Sequence, residues 1–470
     1  MILPFSTALD DSELPAGSAD PQGTLVGAER LAERILPEMT ARMWRARSLT
    51  LAAVAAHVAR QVAEDLGKDE ALQDARMAFE RLYVSALVRR DGQPDWEKAL
   101  ANLSGHRLAR RAWQDGQSLT PRNFLQGGAV NGPFGVISRL ARATGIVDAE
   151  GDGPGRKEFD ELVSAWERDR NLPGFLDPQR GGDGRRLFRR WCDAAAGGAQ
   201  RGAGALWPGD KSAIWEELRD HLRPDKIGPE ERKVLRRLLT LNPVRRRIMA
   251  LLYQNRSRCR EVSGEADGNR GVLEERVLRE VLLGALTRDP GDLMLATAIE
   301  AALAFEESAG VLHAAFFALV WSLVNIGGAG SRQEVTEKPG ARFWASIVRR
   351  AGKAAGRIAT ADEALDVYPE LNGKDLRGPM QSARDALVRC AQSPADAVDA
   401  VIERHVAVQN EKSKPRWIDS GGEWILGRGI EIEDESPPRF DSGLLHPYRI
   451  GNAIAFLGEV RGLGGVHGQG

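Results

Sequence analysis

The chain has 470 residues, with 65 Lys+Arg against 66 Asp+Glu, a formal net charge of −1 and 42% apolar residues. This balance excludes a strongly basic protein that coats nucleic acid, while leaving room for a local basic face. It also excludes wholesale disorder, and the length suggests about two to four domains.

Residues 1–17, MILPFSTALDDSELPAG, lack the basic start and sustained apolar core of a signal peptide. The three cysteines, Cys192, Cys259 and Cys390, are far apart and form no Cys-x-x-Cys. Free thiols in a reducing, cytoplasmic setting are expected, with neither disulfides nor a zinc knuckle.

Helical periodicity dominates from there on and predicts a mainly α, multi-lobed protein. The expected helices cover 27–36, 40–65, 69–90, 94–113, 156–170, 210–221, 229–240 and 243–256, then 271–287, 292–325, 340–357, 380–391 and 394–411. Gly228-Pro229 followed by two glutamates, and Ser393-Pro394, have the composition of helix starts. Asp210 or Ser212 can cap the helix that follows them. The most apolar run, Val311 to Ile326, is shorter than a bilayer needs and contains His313 and Asn325, so it reads as a buried core helix.

Two short apolar runs around Ser420-Gly421-Gly422 predict a β-hairpin within 416–434. Glycine-rich breaks at 148–157, 194–204, 263–271, 327–340 and 433–443 suggest four sequential segments. These are an N-terminal helical domain (1–150), a basic helical middle region (151–262), an apolar helical core (263–326) and a C-terminal helical region with the small β element (327–470). The order turn, helix, "GIVD", glycine-rich loop near residues 131–153 matches the end of a winged-helix unit, although an ordinary helical hairpin fits it better.

No complete catalytic motif is present. There is no phosphate-binding P-loop, no Gly-x-Ser-x-Gly elbow and no His-Glu-x-x-His, and no cofactor or metal site is expected. The seven histidines form no ligand cluster in sequence, and His57 and His313 lie on apolar stretches as core residues would.

Arginine is the main theme. Residues 229–260 hold ten Lys+Arg and two acids, a formal charge of +8. Arg232, Lys233, Arg236 and Arg237 repeat at helical spacing opposite apolar residues, and Arg245, Arg246 and Arg247 open the next helix. Arg42 and Arg45, with Arg47, crowd the start of the 40–65 helix beside Trp44, where a first turn prefers acids. Arg139 and Arg142 line one face of a short helix. These cations are candidate phosphate contacts, which need charged and often bidentate donors. The competing reading is that acids of this nearly neutral chain pair with them, and Glu33 and Glu38 are the nearest to Arg42, Arg45 and Arg47. Near residue 404, Arg404, His405, Gln409 and Lys412 form an anion-binding candidate. Cations that merely oppose a helix dipole would look the same.

Three islands, Gly23–His57, Gly132–Asp148 and Arg404–Trp417, resemble uncharacterised helical proteins encoded in bacterial phage-defence gene clusters. The family's pattern is an early "ER…LPG.T….RAR", where this chain has Glu38 in place of the Gly, a middle "GPxG…LA…GIVD" and a late "RHxxVQxEKxKPxW". The resemblance spans about a fifth of the chain and implies a defence-associated component without implying any catalytic residue. The resulting expectation is a non-catalytic subunit of an antiphage-defence or DNA-transaction complex. It would contact nucleic acid or an acidic partner, and its partner subunits would include an ATPase or nuclease; no membrane is involved. Two alternatives stay open. One is an enzyme, a nuclease or nucleotide-acting effector, whose site is assembled from distant acids near His405 or His446. The other is a purely architectural helical adaptor.

Overall fold

A computed structural model of the chain describes residues 20–89, 100, 103–117, 119–120, 124, 132–151, 153–201, 212–265, 269–371, 373–427 and 443–461. The protein is mainly α-helical with one small antiparallel sheet.

In chain order the helices are α1 (Leu25–Ile35), α2 (Ser48–Leu66), α3 (Ala71–Val88), α4 (His106–Gln114), α5 (Pro133–Ala143), α6 (Lys157–Arg170) and α7 (Asp183–Arg201). Next come α8 (Ile214–Leu222), α9 (Pro229–Leu239), α10 (Pro243–Gln254), α11 (Arg256–Glu265) and α12 (Arg270–Arg276), which continues into a π-helical stretch, Val277–Leu283. The rest are α13 (Leu293–Asn325), α14 (Arg332–Glu337), α15 (Ala341–Asp366), α16 (Lys374–Cys390), α17 (Pro394–Glu411) and α18 (Ile450–Arg461). The strands are β1 (Ala329–Gly330), β2 (Ile418–Asp419) and β3 (Trp424–Leu426), in the order β1-β3-β2. The predicted hairpin is β2–β3. Its third strand, β1, lies 94 residues before Trp424 and carried no strand pattern of its own.

The contacts divide the chain into two interleaved units, 1–37 with 250–451 and 38–249 with 452–467. They do not follow the four sequential segments. Glycine-rich breaks mark loops, whereas a unit is defined by long-range contacts that loops do not report.

The second unit is built on α2, whose buried alanines let α3, α5, α6 and α7 approach it. Of the break expected at 194–204, residues 194–201 are the end of α7 and 202–204 lie outside the described residues. A Cβ on Gly198 would meet the Ala78 methyl at 2.8 Å, so glycine here allows close helix packing. Trp166, Trp191, Phe175 and Phe188 form an aromatic core, with the His57 ring 4.4 Å from Phe188. Burial pushes the His57 pKa down to about 4. It is the core histidine that its apolar stretch predicted.

The first unit is organised by α13, which packs on α1, α15, α16 and α17. Residues 290–325 form a helix long and apolar enough to cross a membrane by length and composition, but 83% of its most apolar window is buried in the protein. The predicted core helix is therefore present and starts earlier than its most apolar stretch. Gly27 of α1 admits the Phe305 ring, which a Cβ would meet at 2.4 Å.

Helix starts are closed by acids distant in sequence. Asp169 accepts from the N–H groups of Glu230 and Glu231 at the start of α9, Glu274 from Tyr448 and Gly451 at α18, and Glu459 from Ala46 ahead of α2. Glu80 does the same for α5, accepting the Phe134 N–H at 2.7 Å. It is wholly buried, and burial raises its pKa to about 7 against the pull of that bond, Arg76 and Arg81. The folded protein therefore binds this proton more tightly than the unfolded chain, and Glu80 withdraws stability as pH rises from about 4.5 to about 7. Glu80→Gln keeps the acceptor and removes the charge. The stability difference, variant minus wild type, should grow across that interval in denaturation curves at successive pH values; a constant difference would refute the assignment.

Candidate functional site

The helix expected to begin at residue 40 begins at Ser48. Arg42, Arg45 and Arg47 precede it, and two of them are internal braces. Arg45 pairs with Glu459 at 3.0 Å. Arg47 Nε donates to Glu231 Oε1 at 2.9 Å while its other nitrogens donate to the His221 and Arg223 carbonyls. The acids expected as partners are engaged elsewhere, Glu33 with Arg449 and Glu38 with Arg245.

The predicted basic cluster divides in the same way. Arg245 is 1% exposed and donates to Glu38 and to the Leu238 and Leu239 carbonyls. This corrects its assignment as a phosphate contact, since its donors are already buried and occupied. Arg232 donates to the Ile227 carbonyl and Arg236 to the Val460 carbonyl, while Lys233 pairs with Glu230 and Arg237 with Glu161. Arg236, Arg237, Lys233 and Arg246 keep exposed side chains, and Arg247 is half-buried.

Arg42, Arg139 and Arg142 are also exposed. A cleft in the second unit is lined by Arg42, Trp44, Ser48, Ser104, Pro133 and Val136. Arg139 lies one helical turn beyond Val136 on α5. Among the described residues just after α5 there is an isolated bridge, Val147 to Pro154, and no two-stranded wing.

The anion candidate on α17 is already filled, and by the protein itself. Lys412 Nζ reaches Asp20 Oδ2 at 3.2 Å, Arg404 Nε donates to the Gln22 carbonyl at 2.7 Å, and His405 Nδ1 donates to the Pro21 carbonyl at 3.0 Å. Trp417 N–H donates to His405 Nε2, so that ring is neutral, and burial lowers its pKa to about 4. Arg404, His405 and Lys412 clasp the segment 20–22, and Gln409 is buried with neither amide atom hydrogen-bonded, which corrects the reading of the four as an open site for an external anion. Burial works against ionised Asp20, but His313, Lys412 and the Leu25 and Thr24 N–H groups hold its pKa below the usual carboxylate value.

Thr24, two residues on, enters a polar chain that the sequence did not reveal. Thr24 Oγ1 lies 2.8 Å from His313 Nε2 and 3.1 Å from His446 Nε2. His446 Nδ1 donates to Glu306 Oε1 at 2.6 Å, and Glu306 also accepts from Leu445 N, His446 N and the Tyr448 hydroxyl. Burial lowers the His313 pKa to about 4. Burial also opposes charging His446, but the Glu306 carboxylate beside it lifts the pKa above the usual imidazole value. The order carboxylate, imidazole, hydroxyl can move a proton. Thr24, however, is 0% exposed and has an imidazole on either side of its hydroxyl. The hints in the sequence were histidine and glutamate inside the apolar stretch of α13 and His446 as a residue to which distant acids could be drawn.

Among the described residues no group of three or more His, Cys, Asp or Glu could hold a metal ion. All three cysteines are free and buried, and burial pushes their thiols up to about 12 for Cys192 and Cys390 and about 11 for Cys259, which leaves them unreactive. Compared with protein-family models, curated proteins and solved structures, the chain finds no match in any of the three.

Proposed function

We propose that the protein is a non-catalytic binding subunit that contacts nucleic acid, within a bacterial antiphage-defence or DNA-transaction complex whose ATPase or nuclease is another chain. The observation that carries the binding is the cleft of the second unit, where the exposed Arg42, the half-buried Trp44 and the Ser48 and Ser104 hydroxyls share one lining. The depression encloses only about 20 Å³, too little for a base, so the cation and hydroxyls at its rim suit contact with a phosphate backbone. The defence setting is supported by the three-island resemblance alone.

The test is binding of labelled duplex DNA, single-stranded DNA and RNA across a salt series. Each phosphate contact steepens the log–log salt slope by roughly 0.9 on duplex DNA. Arg42→Ala with Arg139→Ala should flatten it by about 2. An unchanged slope in that variant, or no binding at low salt, would overturn the reading.

A second reading, an acyl-transfer enzyme with Thr24 as nucleophile, is favoured by the order Glu306, His446, Thr24 and opposed by the complete burial of Thr24. Treatment with a fluorophosphonate followed by peptide mass analysis separates the two: an adduct on Thr24 would establish the enzyme.

A further inference from the structure

α15 carries an electrostatic feature that the nucleic-acid reading does not use. From Pro339 to Ala361 the chain contains no Asp or Glu, while Arg342, Arg349, Arg350, Lys353 and Arg357 contribute five positive charges. At 3.6 residues per turn, Arg342, Arg349 and Lys353 fall within about 40° of a single line along the helix, with Arg350 at its flank. The opposite face is buried through Trp344, Ile347, Ala351, Ala354 and Ile358. The four cations from Arg342 to Lys353 are all exposed. Glu307 pairs with the later end of this run. It engages Arg357 and reaches Lys353 at 3.5 Å, leaving the Lys353 side chain 71% exposed.

What lies between the cations decides the partner. Ala345, Gly352 and Gly356 are exposed, and nothing stands within 4 Å of a Cβ built on Gly356. No large apolar side chain of α15 is exposed. Protein interfaces are anchored by aromatic or aliphatic side chains at their centre, and single strands bind by stacking on aromatic rings. The line Arg342, Arg349 and Lys353 carries neither; Phe343, beside Arg350 at the flank, is half-buried. Along the axis the cations are spaced at roughly 10 Å and 6 Å, at 1.5 Å per residue, a charge-only stripe about 16 Å long.

We propose that the Arg342–Lys353 face of α15 contacts the phosphates of a nucleic-acid duplex. The proposal shares its class of partner with the reading above but uses a different surface, in the other unit. Phosphate contacts of this kind position the duplex and carry no base sequence.

The experiment uses the full chain with Arg342, Arg349, Arg350 and Lys353 all changed to Ala, and a matching set changed to Gln. All four are exposed, and alanine favours helix, so the melting temperature should stay that of wild type. Both sets should flatten the salt slope for duplex DNA by about 3 to 4 and weaken low-salt binding at least tenfold. Duplex should be preferred to single strands. The Arg42→Ala/Arg139→Ala variant is measured alongside. If it loses binding while the α15 variants bind as wild type does, the α15 proposal is overturned and the cleft reading stands. The reverse result sustains α15 and removes the cleft. A preference for single strands overturns the α15 proposal, and an absence of any binding at low salt overturns both.

Discussion

Glu306→Ala should lower the stability of the first unit by about 3–5 kcal/mol, because it leaves a buried imidazole without its carboxylate. The Glu306 and His446 side chains are 3% and 10% exposed and sit 2.6 Å apart. The loss extends beyond the pair, since Leu445 N, His446 N and the Tyr448 hydroxyl also donate to Glu306. Urea denaturation followed by tryptophan fluorescence measures it, and a change below about 1 kcal/mol would mean that the Thr24 chain does not hold the unit together. The pH dependence supplies a second check. The His446 pKa is raised by folding, so its contribution is complete below the ordinary imidazole value and fades as pH rises through the folded value. The His313 pKa is lowered to about 4, so its neutral form costs stability as pH falls from about 6.5 toward 4. His446→Gln should therefore be most damaging at acid pH and progressively less so as pH rises. A deficit that grows with pH would contradict the charge assigned to His446.

Arg47→Ala should cost the second unit about 3–5 kcal/mol for the same physical reason. Glu231 is 0% exposed, and without Arg47 its remaining side-chain donor is the Thr50 hydroxyl at 2.7 Å, while the His221 and Arg223 carbonyls each lose a donor. Arg42→Ala, five residues earlier in the same arginine-rich stretch, should change stability by no more than about 0.5 kcal/mol, because its side chain is exposed. The two substitutions measured together separate an internal brace from a surface cation. Equal losses would show that the arginines of this stretch act alike and that the Arg47–Glu231 pair has no special weight.

Those three arginines show what could be read in advance. The expected conflict with the dipole of a helix starting at residue 40 does not arise, because the helix starts at Ser48, but the internal bracing weighed for these arginines holds for Arg45 and Arg47. The partners themselves, Glu231 and Glu459, lie 184 and 414 residues away, and no local spacing points to them. The same holds for Arg404, His405 and Lys412. Their clustering on α17 promised an anion, and the anion is Asp20, supplied from the other end of the chain. The acid-free run of α15 was readable from composition. What turned it into a surface was the burial of Trp344 and Ile347 on the opposite side.

The sequence by itself determined the helical class, most helix positions, the Pro and Ser starts of α9 and α17 and the core character of α13. These depend on 3.6-residue periodicity and on caps within a few residues, which are local properties of the chain. Only the tertiary structure decided which acid closes which helix, which arginines are buried and that Thr24 stands between His313 and His446. Those outcomes depend on pairings across hundreds of residues. There the low dielectric of the interior makes an unmatched charge costly and so enforces the match.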